Sequence, residues 1–107
     1  MRVYISGPIT GTTDYMERFS KAQKYLESRG HSVVNPALVN SNLPEDTSYD
    51  EYMTMSFCML DMCDAIYLLK GYENSTGAMR EYTRAMRRRY PIYKEKNYEA
   101  DYENIYL

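Results

Sequence analysis

Two segments of the chain carry residue types from which a site can be built. The first, Ser6-Gly7-Pro8-Ile9-Thr10-Gly11, mixes hydroxyls with glycines. Placed after a strand and before a helix, such glycines let backbone amides approach a phosphate or a sugar, and the helix start favours an anion. The segment is neither a Walker loop, since no Gly-Lys-Ser/Thr follows, nor a GxGxxG fingerprint. A tight turn between strand and helix is its plainer reading. The second segment runs Gly71-Tyr72-Glu73-Asn74-Ser75-Thr76-Gly77-Ala78-Met79-Arg80-Glu81. Small polar residues lead straight into a helix, another place for an anion or a ribose hydroxyl. Glu81 falls about one turn inside, on the side of Ala78 and Ala85 rather than that of Arg80 and Arg84. A capping box does not explain it, because neither Ser75 nor Thr76 stands three residues before it. A carboxylate favoured by the helix start, a partner for an arginine, and a reactive carboxylate all remain open.

The other chemistry-bearing residues promise less. Arg84-Ala85-Met86-Arg87-Arg88-Arg89 complements a helix C-terminus and reads as a solvated face or one paired with the acidic tail Glu95, Glu99, Asp101 and Glu103. His31 and Asp64 each precede a strand, at the end of the sheet opposite the loops just named, and are expected to be structural. Cys58 and Cys63 are too few for a disulfide scaffold and do not form a CxxC pair. With a single histidine, no metal site and no cofactor are expected.

These segments need a scaffold, and the apolar pattern supplies one. Arg2 to Ser6 reads as a strand. A helix from about Asp14 to Arg29 follows, with Tyr15, Phe19, Ala22 and Leu26 on one stripe and Gly30 as its stop. His31 to Asn35 is a second strand, ended by Pro36, and residues 37–48 read as a polar loop. A helix over about Tyr49 to Cys63 puts Tyr52, Met53, Ser56, Met59, Leu60 and Cys63 on one face. Ala65 to Leu69 is a continuous apolar run suited to a central strand buried on both sides. After a loop over Lys70 to Ser75, a third helix reaches about Arg88, and Pro91-Ile92-Tyr93 is a weak fourth strand. Alternation of this kind implies one α/β domain: a doubly wound parallel sheet of four to five strands with helices on both faces. Its loops 6–13, 35–38 and 70–77 meet beyond the carboxyl ends of the strands, where such sheets bind ligands.

At 107 residues there is room for a single core. A formal net charge of -2 argues against nucleic-acid or anionic-membrane partners. No apolar run approaches the roughly 20 residues of a membrane span, and the start lacks a signal-peptide pattern, so a cytoplasmic protein is expected. The aromatic balance is unusual: 13 Tyr and 8 Met against 2 Phe and no Trp.

Taken together, Tyr4-Ile5-Ser6-Gly7-Pro8-Ile9-Thr10-Gly11, Val33-Val34-Asn35-Pro36-Ala37, Cys63-Asp64-Ala65-Ile66-Tyr67-Leu68-Leu69, Gly71-Tyr72-Glu73-Asn74-Ser75, Gly77-Ala78 and Glu81 resemble the nucleoside 2-deoxyribosyltransferase-like superfamily. The likeness is to its small branch of unknown function common in phages and prophages, and the 2-deoxynucleoside 5-phosphate N-hydrolases are similar. It covers about residues 3–93, leaving a Tyr-rich charged tail over 94–107. The resemblance implies that Glu81 attacks the anomeric carbon of a deoxyribose and the base leaves, giving a glycosyl-enzyme that water or a second base resolves. It implies that Tyr4 orients Glu81, that Ser6 to Gly11 wrap the sugar or its phosphate, and that Ser75 contacts a 5-phosphate. Asn35, Ser56, Gly71, Tyr72, Gly77 and Ala78 complete the implied pocket, with Tyr72 as a stacking wall.

One departure separates this chain from those relatives. They carry an aspartate eight residues before the position of Asp64, helping to protonate the departing base, and here that position is Ser56. Asp50, Glu51 and Tyr52 lie within two turns as substitutes. The alternative to an enzyme is a module that binds and sequesters a nucleotide without turning it over, and a third reading is an interaction domain using the tail. A homo-oligomer is expected, with Met53, Met55, Met59 and Met62 around the second helix and tyrosines of the tail at the interface.

Overall fold

The computed structural model describes residues 1–95. Four strands, β1 (Arg2–Ser6), β2 (Ser32–Val34), β3 (Ala65–Leu68) and β4 (Ile92–Lys94), form one all-parallel sheet in the order β2-β1-β3-β4. Between them run α1 (Tyr15–Ser28), α2 (Pro36–Asn40), α3 (Tyr49–Asp61) and α4 (Thr76–Arg87), with a short 3-10 turn at Tyr72–Asn74.

Alternation along the strands divides the core into two layers. Val3, Ile5, Ala65, Tyr67 and Leu69 point to one face and meet Phe19, Ala22 and Leu26 of α1. Tyr4, Ile66 and Leu68 point to the other and meet Met59 and Leu60 of α3 and Ala85 of α4. Each layer closes over a sheet face that would otherwise expose an unbroken apolar run, which is why β3 is buried along its whole length. The chain moves outward from β1 to β2 through α1, then returns across β1 to β3 through α3. The β1–β3 boundary is therefore the switch point at which open parallel sheets accept ligands.

The doubly wound parallel sheet read from the sequence is present, and its boundaries shift by a residue or two. One segment differs in kind. Residues 37–48 do not form a plain loop: Pro36–Asn40 make a turn and a half of helix, because Asn35 caps it and Pro36 fixes the backbone of its first position. The start of α3 is held by a capping box in which Ser48 and Glu51 satisfy each other's backbone N–H groups.

Glu95 was expected to join an acidic tail facing the arginines of the last helix. It lies instead at the carboxyl end of the sheet, where its Oε1 accepts from the Lys70 amide at 3.0 Å and stands 3.7 Å from Arg18. Arg18 donates to the Lys70 carbonyl at 2.6 Å, so α1 and the end of β4 together pin the loop that leads from β3 toward α4. Arg84 is likewise not a solvated end: it makes a bidentate pair with Asp61 of α3 at 2.8 and 2.6 Å. Of the methionines expected around α3, Met53 and Met59 are buried, and Met55 and Met62 are exposed. The tyrosines Tyr98, Tyr102 and Tyr106 lie outside the described residues.

Candidate active site

Glu81 occupies the face of α4 that packs on the sheet, between Ala78 and Ala85, and is only 7% exposed. Directly across from it, β1 presents two hydroxyls on the same sheet face, two residues apart. The Tyr4 phenol donates to Glu81 Oε2, and the Ser6 hydroxyl donates to Oε1 at 2.6 Å. A carboxylate held at both oxygens has one orientation. The separation of these residues by more than 70 positions shows what β1 and α4 are placed to do.

Burial dominates the electrostatics of the pair. Desolvation lifts the Glu81 carboxyl from 4.5 to about 7, opposed by the hydrogen bonds from Ser6 and Tyr4, which favour its ionised form. Burial also raises the Tyr4 phenol well above its usual value, with the neighbouring Glu81 charge adding to the effect. Tyr4 therefore keeps its proton at neutral pH and acts as a donor. Glu81 titrates in the range where a small change of environment alters its charge.

A second polar pair lies farther from the sheet. Ser56 of α3 is buried, one turn before Met59 and Leu60, which pack with Tyr4. Asn40 of α2 donates to the Ser56 hydroxyl through Nδ2 at 3.3 Å. Asn40 is a member that sequence reasoning missed, because a polar asparagine in an apparent loop carries no periodic signal. Of the acidic and phenolic groups within two turns of Ser56, Asp50 and Glu51 are exposed, Glu51 serving its capping box, and Tyr52 is half-buried.

Other expected contacts fall into place differently. Ser6 holds Glu81 rather than lying free to wrap a ligand. Asn35 was expected in the pocket, but both ends of its amide serve the fold: Oδ1 accepts from the Leu38 amide and Nδ2 donates to Gln23. Ser75 caps α4, its hydroxyl oxygen accepting from the Ala78 amide at 3.1 Å. The cap uses a lone pair and leaves the hydroxyl hydrogen for another partner. Tyr72 does not join the network; its ring packs edge-on against Tyr82 at 5.7 Å, under the Lys94 ammonium.

Two close approaches position the loops. A Cβ on Gly7 would lie 2.8 Å from that of Leu69, so only glycine lets the first loop leave β1 beside the end of β3. Gly71, with a positive φ of 90°, turns the chain beside Pro8 into the 3-10 turn. Ile9 packs on the core, Thr12 closes the loop onto the Ile9 carbonyl, and Thr10 and Gly11 remain exposed. Gly77 brings α4 against Met53 and Tyr49 of α3. His31 and Asp64 lie at the amino end of the sheet, where Asp64 accepts from the Arg2 amide at 2.9 Å. Among the described residues there is no cluster of three or more metal-ligating side chains, and no helix is long and apolar enough to cross a membrane.

Gly7→Ala is expected to destabilise the fold by about 1–3 kcal/mol, since Leu69 is itself fully buried and has no room to yield. Thermal unfolding of the purified variant checks this.

Residues 1–94 match the family described as Domain of unknown function (DUF4406). The chain belongs to that family. A search of the curated proteins found no match. Among solved structures, the chain is similar to a 2-deoxyribosyltransferase from the psychrotolerant bacterium Bacillus psychrosaccharolyticus, with a TM-score of 0.66 over 86% of this chain and 69% of that one. At 20% identity this establishes a shared fold.

Proposed function

We propose that the chain acts on a 2-deoxynucleotide, cleaving or transferring across its N-glycosidic bond with Glu81 as nucleophile. The observation that carries this reading is the buried Glu81 carboxylate held at both oxygens by Tyr4 and Ser6, at the carboxyl end of β1 beside the switch point. A Glu81 oxygen bonds to C1′ as the bond from C1′ to the base nitrogen breaks, its electron pair leaving with the base. Water or a second base then displaces Glu81 from C1′. Tyr4 is a positioning residue in this scheme, and Ser75 with the head of α4 takes the 5-phosphate. Ser56 and Asn40 are neutral hydrogen-bonding groups. The departing base therefore draws its proton from water rather than from a carboxylic acid on α3. The fold shared with a deoxyribosyltransferase supports the substrate class. The same reading takes the protein as a homo-oligomer, which the exposed Met55 and Met62 on the outer side of α3 support.

Incubation with the four deoxynucleoside monophosphates, resolving free base by chromatography, tests the proposal. Base release is expected. Heat of binding in a calorimeter with no release would replace it by the sequestering reading.

Tyr4→Phe separates orientation from attack. It is expected to lower turnover by about tenfold to a hundredfold, since a loosened carboxylate leaves its near-attack geometry. The bond it removes favours ionised Glu81, so the acid limb of the pH–rate profile moves to higher pH. An unmoved profile would leave Tyr4 only a packing role.

A further inference from the structure

On the side of α4 turned away from Glu81 lies a groove of about 770 Å³, running from Ser75 and Thr76 past Arg80, Arg84, Arg87 and Arg88, with Phe57 of α3 as one wall. Guanidinium groups crowd it to an extent at odds with a chain of net charge -2. Arg84 and Arg88 share the Asp61 carboxylate. Arg80 and Arg87 make no ion pair among the described residues, although Arg80 stacks over Phe57 and Tyr49 at 5.4 and 5.8 Å. Glu73 is the acidic residue in the lining.

We infer that this groove takes the outer phosphates of a nucleoside 5′-polyphosphate. The inference rests on the reading of Glu81 as the centre of a nucleotide site and narrows its substrate class. Ser75 and Thr76 belong to both features: they open the helix whose inner face carries Glu81, and they line the upper end of the arginine groove. A phosphate seated at that helix start has a second or third phosphate directed along α4. Arg80 stacks over Tyr49, whose hydroxyl lies beside Gly77 in the first turn of α4, so its guanidinium stands toward the head of the groove, with Arg87 farther along the same helix. From Thr76 to Arg87 the axis spans about 16 Å, enough for a short phosphate chain met by long side chains and too little for an extended polymer track. Arg80 and Arg87, the two guanidiniums of the groove without a carboxylate partner among the described residues, match a few phosphates. Arginine suits this task through its fork of donors and its permanent charge.

Calorimetric titration of the full chain with deoxyadenosine monophosphate, deoxyadenosine triphosphate and inorganic tripolyphosphate tests this, with Arg80→Gln/Arg87→Gln as the variant. Both positions are exposed, and thermal unfolding verifies that the variant folds. The triphosphate is expected to bind at least about tenfold more tightly than the monophosphate, and tripolyphosphate to bind by itself. The double variant removes that margin and leaves the monophosphate affinity within about twofold. Equal affinities for the two nucleotides, or a margin that survives in the variant, overturn the inference. Tighter binding of a single-stranded oligodeoxynucleotide than of the triphosphate also overturns it, in favour of a nucleic-acid track. The titration does not read base release, so an inert Glu81 would remove the catalytic proposal without deciding this result.

Discussion

Glu81→Gln is expected to lower base release from deoxynucleoside monophosphates by on the order of a thousandfold or more. The substitution keeps the shape of the side chain and its hydrogen-bonding partners. Tyr4 can still donate to the amide oxygen, and Ser6 can rotate its hydroxyl to accept from the amide nitrogen. What is lost is the oxygen nucleophile that forms the bond to C1′, and no neighbouring group replaces it, because Ser56 and Asn40 are neutral. Loss in the chemical step lowers kcat and kcat/KM together, whereas loss of a binding contact would raise KM alone. Steady-state kinetics with the best of the four monophosphates distinguishes the two. A variant retaining more than about a tenth of wild-type kcat would remove Glu81 from the nucleophile's role.

The same substitution is expected to stabilise the protein above neutral pH. In the folded chain Glu81 titrates near 7, against 4.5 for an exposed carboxyl, because burial penalises its charge. Folding therefore favours the protonated form. Its contribution to stability is complete below about pH 4.5 and is lost as pH rises through about 7, a difference of about 3 kcal/mol. Gln has no charge to desolvate and removes this dependence. Urea unfolding at pH 5 and pH 8 is the measurement: the wild type should lose several tenths of its stability between them, and Glu81→Gln should lose markedly less. Parallel pH profiles for the two proteins would show that the site admits enough water to solvate the carboxylate. The stability given up at neutral pH is the cost of a nucleophile that is dry, oriented and only partly ionised, a combination that recurs where function opposes stability.

The sheet was legible in the sequence because its signals are local and repeated. The apolar run from Ala65 to Leu69 and the stripe Phe19, Ala22 and Leu26 each announce one element and its buried face. Glu81 was legible as a position, on the Ala78–Ala85 side of its helix, but its partners were not derivable from spacing. Tyr4 was assigned to Glu81 through resemblance, and the structure supplies the hydrogen bond that joins them. Ser6 was assigned to a ligand because hydroxyls beside glycine suggest one. Strand alternation puts it two residues from Tyr4 on the same face, the fact that decides in favour of Glu81. The cap role of Asn35 was hidden for a related reason: its side chain serves a helix start, and Pro36 makes that start. Asn40 and the Arg18–Lys70–Glu95 pins arise only when α1, α2 and β4 converge on one end of the sheet, and no pattern within any single segment encodes them.

The claim on which the rest depends is that Glu81 becomes covalently bonded to the sugar. Intact-protein mass measurement after exposure to a 2-fluorinated arabinonucleotide monophosphate tests it most directly. Fluorine at C2 slows departure of the sugar from the enzyme, because the positive charge that develops at the anomeric carbon is destabilised. A mass increase equal to the fluorinated nucleotide less its free base, located on the peptide containing Glu81 and absent in Glu81→Gln, is the predicted result. Release of base from a protein that stays unmodified, or an adduct on any other residue, would contradict it.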